Sequence, residues 1–112
     1  MAETSELHRQ HPVEYPDGTP PLREDEAAKL HAQVDPAWQR DGTQRLWREF
    51  RFRDFRDAFG FATRVALLVE REAHHPQLTV TWGMVVVTSW THTVKGLSAN
   101  DFIIAAKIDR LT

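Results

Sequence analysis

The spacing of hydrophobic residues predicts two helices in the first two thirds of the chain. The segment from residue 22 to 34 has helix-forming composition, and Pro36 ends it. The stretch that follows Asp54, a plausible N-cap, has the strongest helical pattern. Its apolar residues recur at helical spacing, at Phe55, Ala58, Phe59, Ala62, Val65, Ala66 and Val69.

Alternation with a period of two predicts strands on both sides of this long helix. Residues 77–82 and 84–91 are β-branched runs on either side of Gly83, which predicts a hairpin. Residues 38–42 predict a short extended segment and a turn. Residues 43–54 predict either one bent strand or two short ones.

The start of a third helix is marked by Ser98 and Asp101, which have the spacing of a capping box. The order is therefore helix, two strands, long helix, two strands, helix. Because hairpins and a helix crossover connect the strands, this order predicts an α+β fold, with helices on one face of an antiparallel sheet.

The long helix is apolar over more than half of its circumference. Phe61, Leu67 and Leu68 fall outside the stripe that recurs at helical spacing. One sheet cannot bury both the stripe and the apolar residues outside it. The apolar surface left over predicts self-association.

The first 21 residues differ from the rest in composition. They hold four of the six prolines and almost no large aliphatic residues. Such a segment buries too little apolar surface to offset its ordering entropy, which predicts a flexible arm over 1–21 and one domain over 22–112. His8 and His11 lie in this arm and are assigned no role.

Composition and charge exclude several classes of function. With 112 residues, the chain has room for one domain, and 14 Lys+Arg against 16 Asp+Glu give a net charge of −2. That balance argues against nucleic acid as a partner. The absence of cysteine excludes disulfides, thiolate zinc sites and iron–sulfur clusters. Without a secretory signal or an apolar run of about 20 residues, we expect a cytoplasmic protein with no membrane partner.

Three histidines lie at the ends of predicted elements. His74 and His75 end the long helix just before a proline, and His92 follows the hairpin. Asp101 opens the next helix. We expect these four residues to meet at one rim, where they would form an acid/base set that works near neutral pH.

Each of these residues also has a structural interpretation. A histidine in the last turn of a helix interacts favourably with the helix dipole, and Asp101 is explained by capping. Three histidines could also bind zinc. Adjacent side chains on a helix diverge by about 100°, however, so His74 and His75 would chelate one ion poorly, and we expect no metal.

These residues give the chain a resemblance to the pterin-4a-carbinolamine dehydratases, also called 4a-hydroxytetrahydrobiopterin dehydratases. The likeness covers about residues 22–110. The motif residues that carry it are Glu70, His74-His75-Pro76, Trp82, Thr91-His92, Gly96-Leu97-Ser98 and Asp101.

The resemblance implies four antiparallel strands with three helices on one face, in the order α-β-β-α-β-β-α, and homodimers or homotetramers. It implies a hydro-lyase that dehydrates 4a-hydroxytetrahydropterin to quinonoid dihydropterin and water, in tetrahydrobiopterin recycling. The partners implied are the pterin substrate and a pathway link to an aromatic amino acid hydroxylase. The reaction requires no metal and no redox cofactor.

The resemblance also implies roles for single residues. The catalytic residues would be His74, His75, His92 and Asp101. His74 and His92 would be the acid/base pair, His75 would orient the substrate and could share the proton work, and Asp101 would hold one imidazole in its useful tautomer. The substrate-binding residues would be Glu70, Ala73, Trp90, Thr91 and Thr93. Glu70, one helical turn before His74, is also expected to orient that ring.

Two features of the chain depart from the family pattern. Trp90 stands where relatives carry a small residue, and its indole either stacks on the pterin or partly fills the pocket. The long N-terminal arm is extra. Both features fit an alternative function, that of a non-catalytic interaction protein such as a transcriptional dimerisation cofactor or an assembly factor for a carbon-fixing enzyme. Retention of all three histidines and Asp101 favours the enzyme.

Overall fold

The computed structural model of the protein describes residues 6–112. Its elements follow the predicted order, and residues 43–54 contribute one strand rather than two. The elements are α1 (Glu24–His31), β1 (Gln39–Asp41), β2 (Arg45–Arg51), α2 (Phe55–Glu72), β3 (Gln77–Thr81), β4 (Met84–Ser89) and α3 (Ala99–Asp109).

The four strands form one antiparallel sheet in the order β1-β2-β4-β3. Trp82 and Gly83 form the predicted two-residue turn between β3 and β4. A side chain at position 83 would bring its Cβ to 2.9 Å from the carbonyl oxygen of Phe52, which explains the glycine there. In this register, Phe50 lies opposite Val85 and Leu46 lies opposite Ser89.

One face of this sheet is covered by the helices. Leu46, Phe50, Val85 and Val87 are buried on that face, in one cluster with residues of α2 and α3. The other face carries exposed residues such as Glu49 and Thr79. The predicted α+β fold, with three helices on one face of a four-stranded sheet, is therefore confirmed.

The buried face of α2 is rotated from the one that the sequence predicts. Phe61 and Leu68, which the predicted stripe leaves out, are buried, whereas Phe55 and Phe59 are about half exposed, at 48% and 55%. The Phe61 ring packs against Phe50 of β2 with a centroid distance of 4.6 Å, which explains the rotation. The surplus apolar surface therefore includes Phe55, Phe59 and Leu67.

The N-terminal segment lies against the helices from residue 6 onward. Leu7, in a single 3₁₀ turn over Leu7–Arg9, is 4% exposed and joins the main core cluster. Lys107 of α3 donates a hydrogen bond to the carbonyl oxygen of His8. The sequence predicts a flexible arm over 1–21, and residues 1–5 of that arm lie outside the described residues. In residues 6–112, no helix is long and apolar enough to cross a membrane.

Candidate active site

The site begins where α2 ends in a left-handed turn at Ala73. Ala73 has φ 58°, and its N–H bonds the carbonyl oxygen of Glu70 while the N–H of His74 bonds that of Val69. This pair of bonds ends a helix by reversing the local chain direction. The turn separates the two histidines, because the side chain of His74 is 10% exposed whereas that of His75 is 61% exposed.

The buried histidine is held by a carboxylate on another element. Nε2 of His74 lies 2.9 Å from Oδ1 of Asp101, in the first turn of α3. Asp101 is fully buried. Since an ionised carboxylate only accepts hydrogen bonds, this contact favours the tautomer of His74 with its proton on Nε2, which leaves Nδ1 as a base.

Three further donors surround the Asp101 carboxylate. The Ser89 hydroxyl donates to Oδ1 at 2.5 Å, and the Thr91 hydroxyl and the Ser98 backbone N–H each donate to Oδ2 at 2.9 Å. The Ser98 bond belongs to the predicted capping box. Asp101 therefore both caps α3 and contacts His74, so the capping interpretation does not exclude a role in the site.

A cavity of about 490 Å³ lies over this pair. The loop after α2 and the loop after β4 supply one part of its wall, with Ala73, His74, His75, Thr91, His92 and Thr93. The structure thus brings the three predicted histidines to one cavity. Asp101 lies behind His74, and Glu70 and Trp90 are not part of the lining.

Glu70 contacts His75 rather than His74. Its Oε1 lies 2.8 Å from Nε2 of His75, and both side chains are exposed. The expectation that Glu70 orients His74 is therefore wrong. The left-handed conformation of Ala73 interrupts the helical spacing, so that His74 turns inward and His75 takes the place beside Glu70.

The Trp90 indole contacts His92 outside the cavity lining. The two ring centroids are 5.1 Å apart, and the guanidinium carbon of Arg45 lies 4.1 Å from the Trp90 ring centroid. A cation over an indole face is a favourable arrangement. Trp90 is thus placed to support the loop that carries His92.

The sequence pattern does not reveal the rest of the wall. It comes from the arm, from the last turn of α2 and from α3, and consists of Pro12, Val13, Glu14, Tyr15, Asp17, Glu72 and Asn100. The side-chain amide of Asn100 binds the backbone of Val13 twice: its oxygen accepts from the N–H, and its nitrogen donates to the carbonyl oxygen. The sequence shows only an asparagine inside the predicted capping box, and nothing in it indicates that this residue binds the arm.

Glu72 ties the end of α2 to the arm. Burial raises the pKa of Glu72, but the hydrogen bond with His11 and the charge of Lys107 outweigh burial and leave the pKa below its ordinary value of 4.5. The ring of His11 lies 2.9 Å from the Glu72 carboxylate. His11, to which the sequence assigns no role, therefore anchors the arm beside the cavity.

The arrangement is suited to proton transfer. One imidazole is oriented by a buried carboxylate, and two exposed imidazoles share its cavity. Within residues 6–112, no group of three or more His, Asp or Glu side chains is placed to hold a metal ion. Histidines in such a site can donate and accept protons near neutral pH.

Sequence comparisons agree on one family. The family model for pterin 4 alpha carbinolamine dehydratase matches residues 20–111. A protein of Gloeobacter violaceus is 51% identical over 89 residues, 77% of this chain and 76% of the relative. A protein of Chlorobium luteolum is 45% identical over 109 residues, 95% of each chain. Both relatives are provisionally named pterin-4-alpha-carbinolamine dehydratase.

A solved structure has the same fold. It is a protein from Brucella melitensis described as a transcriptional coactivator/pterin dehydratase. The TM-score is 0.74 and the sequence identity is 35%, over 81% of this chain and 97% of the other.

Proposed function

The chain belongs to the pterin-4a-carbinolamine dehydratase family, and from that premise we propose that it dehydrates 4a-hydroxytetrahydropterin to quinonoid dihydropterin. The observation that carries the proposal is the buried contact between His74 and Asp101, at a cavity also lined by His75 and His92. A scaffold that only bound other proteins would have no evident use for this arrangement.

The reaction consists of two proton transfers. The bond between C4a and the hydroxyl oxygen breaks as that oxygen gains a proton, and water leaves. The proton on N5 is removed, and its electron pair forms the C4a=N5 double bond. Each transfer assisted by a positioned side chain typically gains 10²–10⁴-fold in rate.

The two histidines of the proposed pair take different roles. His74, with its Nε2 proton held by Asp101, accepts the N5 proton on Nδ1. His92 in its protonated form donates to the leaving hydroxyl. One proton is taken up and one is released per turnover, and exchange with solvent restores both rings. No redox cofactor is required, because no electron is gained or lost overall.

The remaining site residues bind and orient the substrate. His75 and the backbone of Ala73 lie on one side of the cavity, and Thr91 and Thr93 come from the loop that carries His92. Glu70 acts through its contact with His75, and Trp90 acts through its contact with His92.

The setting proposed for the enzyme is the cytoplasm, where it recycles the pterin used by an aromatic amino acid hydroxylase. Copies of the chain are proposed to pair as homodimers or homotetramers through the exposed apolar surface of α2. Phe55, Phe59 and Leu67 on that surface are 48%, 55% and 65% exposed.

A second candidate function is supported by the description of the Brucella protein as a transcriptional coactivator as well as a pterin dehydratase. In that case, the chain would act as a non-catalytic interaction protein on the same scaffold. Activity decides between the two candidates, because the second predicts no dehydration above the uncatalysed rate.

The deciding experiment follows the loss of chemically generated 4a-hydroxytetrahydropterin by stopped-flow absorbance. Wild type should accelerate dehydration, and His74→Ala and His92→Ala should lose most of the acceleration while remaining folded by circular dichroism. Thr79→Ala, on the opposite face of the sheet, is the matched control. A chelator should leave the rate unchanged. A wild-type rate equal to that in buffer would contradict the proposal.

A further inference from the structure

We infer that residues 12–17 of the N-terminal arm are a substrate-binding wall of this cavity, with Tyr15 as the contacting side chain and Asn100 as the residue that positions the wall. The inference rests on the proposed dehydratase function and adds a part of the site that the histidine motif does not contain. Five residues of the arm line the cavity, namely Pro12, Val13, Glu14, Tyr15 and Asp17.

The wall is held at its N-terminal end by Asn100. The backbone N–H of Val13 donates to Oδ1 of Asn100 at 3.0 Å, and Nδ2 of Asn100 donates to the carbonyl oxygen of Val13 at 2.7 Å. Asn100 is 3% exposed. A buried amide that uses its oxygen and its nitrogen on one backbone position fixes that position in two directions, and its loss would remove both of these bonds from Val13.

The wall is held at its other end by the loop that carries His92. The N–H of Gly18 donates to the carbonyl oxygen of Thr93 at 3.1 Å, and the N–H of Leu22 donates to that of Leu97 at 2.9 Å. Residues 12–17 therefore run between two fixed points. The first point is on α3 beside Asp101, and the second is one residue from His92.

Additional contacts hold the arm before the wall begins. Leu7 is buried in the core, Lys107 binds the carbonyl oxygen of His8, and His11 binds Glu72. These contacts attach residues 7–11 to α3 and to the end of α2. The position of the wall is thus set by three elements that also carry the histidines or their partners.

Tyr15 gives this wall its chemistry. It is half-buried and lines the cavity that His74 and His92 also line. A pterin is a flat bicyclic ring, and an aromatic side chain offers it a stacking surface. Residues 12–17 form no hydrogen bond with the His74–Asp101 pair, so the contribution of the wall should be to binding rather than to proton transfer.

This division of roles predicts a separation of KM from kcat. Removing a contact made equally with substrate and transition state raises KM and leaves kcat unchanged. Tyr15→Ala should raise KM about fivefold to tenfold, with kcat within about twofold of wild type. Tyr15→Phe keeps the ring and should restore most of the affinity. Asn100→Ala should raise KM in the same way by releasing the wall.

The experiment measures kcat and KM for 4a-hydroxytetrahydropterin, and the Kd of 7,8-dihydrobiopterin by fluorescence titration, in all variants. Gln10→Ala is the matched control, because Gln10 is an exposed arm residue outside the cavity lining. Melting temperatures identify any variant that fails to fold. Tyr15 is the decisive position, since its side chain is not part of the core cluster.

The outcomes separate this inference from the proposed function. An active wild type whose KM and Kd are unchanged by Tyr15→Ala would overturn the inference alone. A fall in kcat with unchanged KM and Kd would overturn it as well. A wild type that neither turns over the substrate nor binds 7,8-dihydrobiopterin would overturn the proposed function, and the inference with it.

Discussion

Asn100 and Asp101 are neighbours in the first turn of α3, and their side chains hold two different walls of one cavity. Asn100 binds the backbone of Val13, and Asp101 binds Nε2 of His74. Because the Ser98–Asp101 capping box fixes where α3 begins, the same local structure sets both contacts. A change in the capping box that moves this helix start should therefore affect proton transfer and substrate binding together, whereas a change at Asn100 alone should affect binding.

Asp101→Asn should impair both catalysis and folding. The carboxylate of Asp101 accepts four hydrogen bonds. In the asparagine, an NH₂ group replaces one of the two oxygens and would point at groups that now donate to that oxygen. We expect kcat to fall about 10²-fold or more, because the orientation of His74 is lost. We expect the free energy of unfolding to fall by about 1–3 kcal/mol.

Urea unfolding and stopped-flow dehydration together check this prediction. His92→Ala is the comparison, because His92 is exposed and its loss should lower kcat with little effect on stability. Wild-type kcat in a folded Asp101→Asn variant would contradict the role given to the carboxylate.

Ala73→Gly should stabilise the protein. Ala73 has φ 58°, in the left-handed region where a side chain costs about 1–2 kcal/mol. Glycine removes that cost but loses more entropy on folding, so the net gain should be at most about 1 kcal/mol. Ala28→Gly, at an exposed position inside α1, should instead lose about 0.5–1 kcal/mol. In thermal unfolding, the melting temperature should rise for Ala73→Gly and fall for Ala28→Gly.

Glu72 should make stability depend on acid pH. Its pKa in the folded state is below the ordinary value of 4.5, so its contribution is present above that value and is lost as pH falls through the folded pKa. Glu72→Gln removes this contribution. The difference in unfolding free energy between wild type and Glu72→Gln should therefore begin to shrink as pH falls to about 4.5 and continue to shrink as pH falls through the folded pKa.

Urea titrations at a series of pH values measure that difference. Glu49→Gln, on the exposed sheet face, controls for the substitution itself. A difference that stays constant down to the acid limit, or that grows there, would refute the prediction.

Gly96→Ala should destabilise the loop that carries His92. A Cβ at this position would lie 2.8 Å from the carbonyl oxygen of Thr43 and 3.1 Å from Cβ of Pro21. Relieving this overlap requires the backbone to move, at a cost of about 1–3 kcal/mol. Gly60→Ala in α2 is the counterpart, because its Cβ would meet only the tip of Arg64 at 3.9 Å. It should gain about 0.5–1 kcal/mol.

Phe59→Lys should weaken the proposed self-association. It places a charge on the exposed apolar surface of α2, where the ring centroids of Phe59 and Phe55 are 5.7 Å apart. Sedimentation velocity should show a smaller species than wild type at equal concentration. Ala37→Lys, in an exposed loop, should not change the mass. A wild type that is monomeric at high concentration would contradict the prediction.

The local features of the fold could be predicted from the sequence. The caps at Asp54 and Ser98 and the turn at Gly83 depend on residues within a few positions of each other, and all three occur as predicted. The buried face of α2 could not be predicted correctly, because its hydrophobic residues cover two faces. Which face the sheet covers depends on packing against distant residues such as Phe50.

The same distinction applies to the candidate site. The histidines and Asp101 stand out through their spacing and their position at element ends. The arm does not, because the residues that hold it are far away in sequence, with Val13 and Asn100 separated by 87 positions. Residues 6–21 contain few aliphatic side chains, which is why composition predicts a flexible arm. Hydrogen bonds to their backbone need no aliphatic side chain, so composition does not reveal that this segment is held in place.

The docking of Val13 on Asn100 also sets an order of events during biosynthesis. Val13 must wait for a helix residue that leaves the ribosome 87 positions later. Contacts between such distant positions form late, after local hairpins and helices. Residues 12–17 therefore leave the ribosome long before the helix on which they dock, and the cavity that they line can be completed only after α3 has formed.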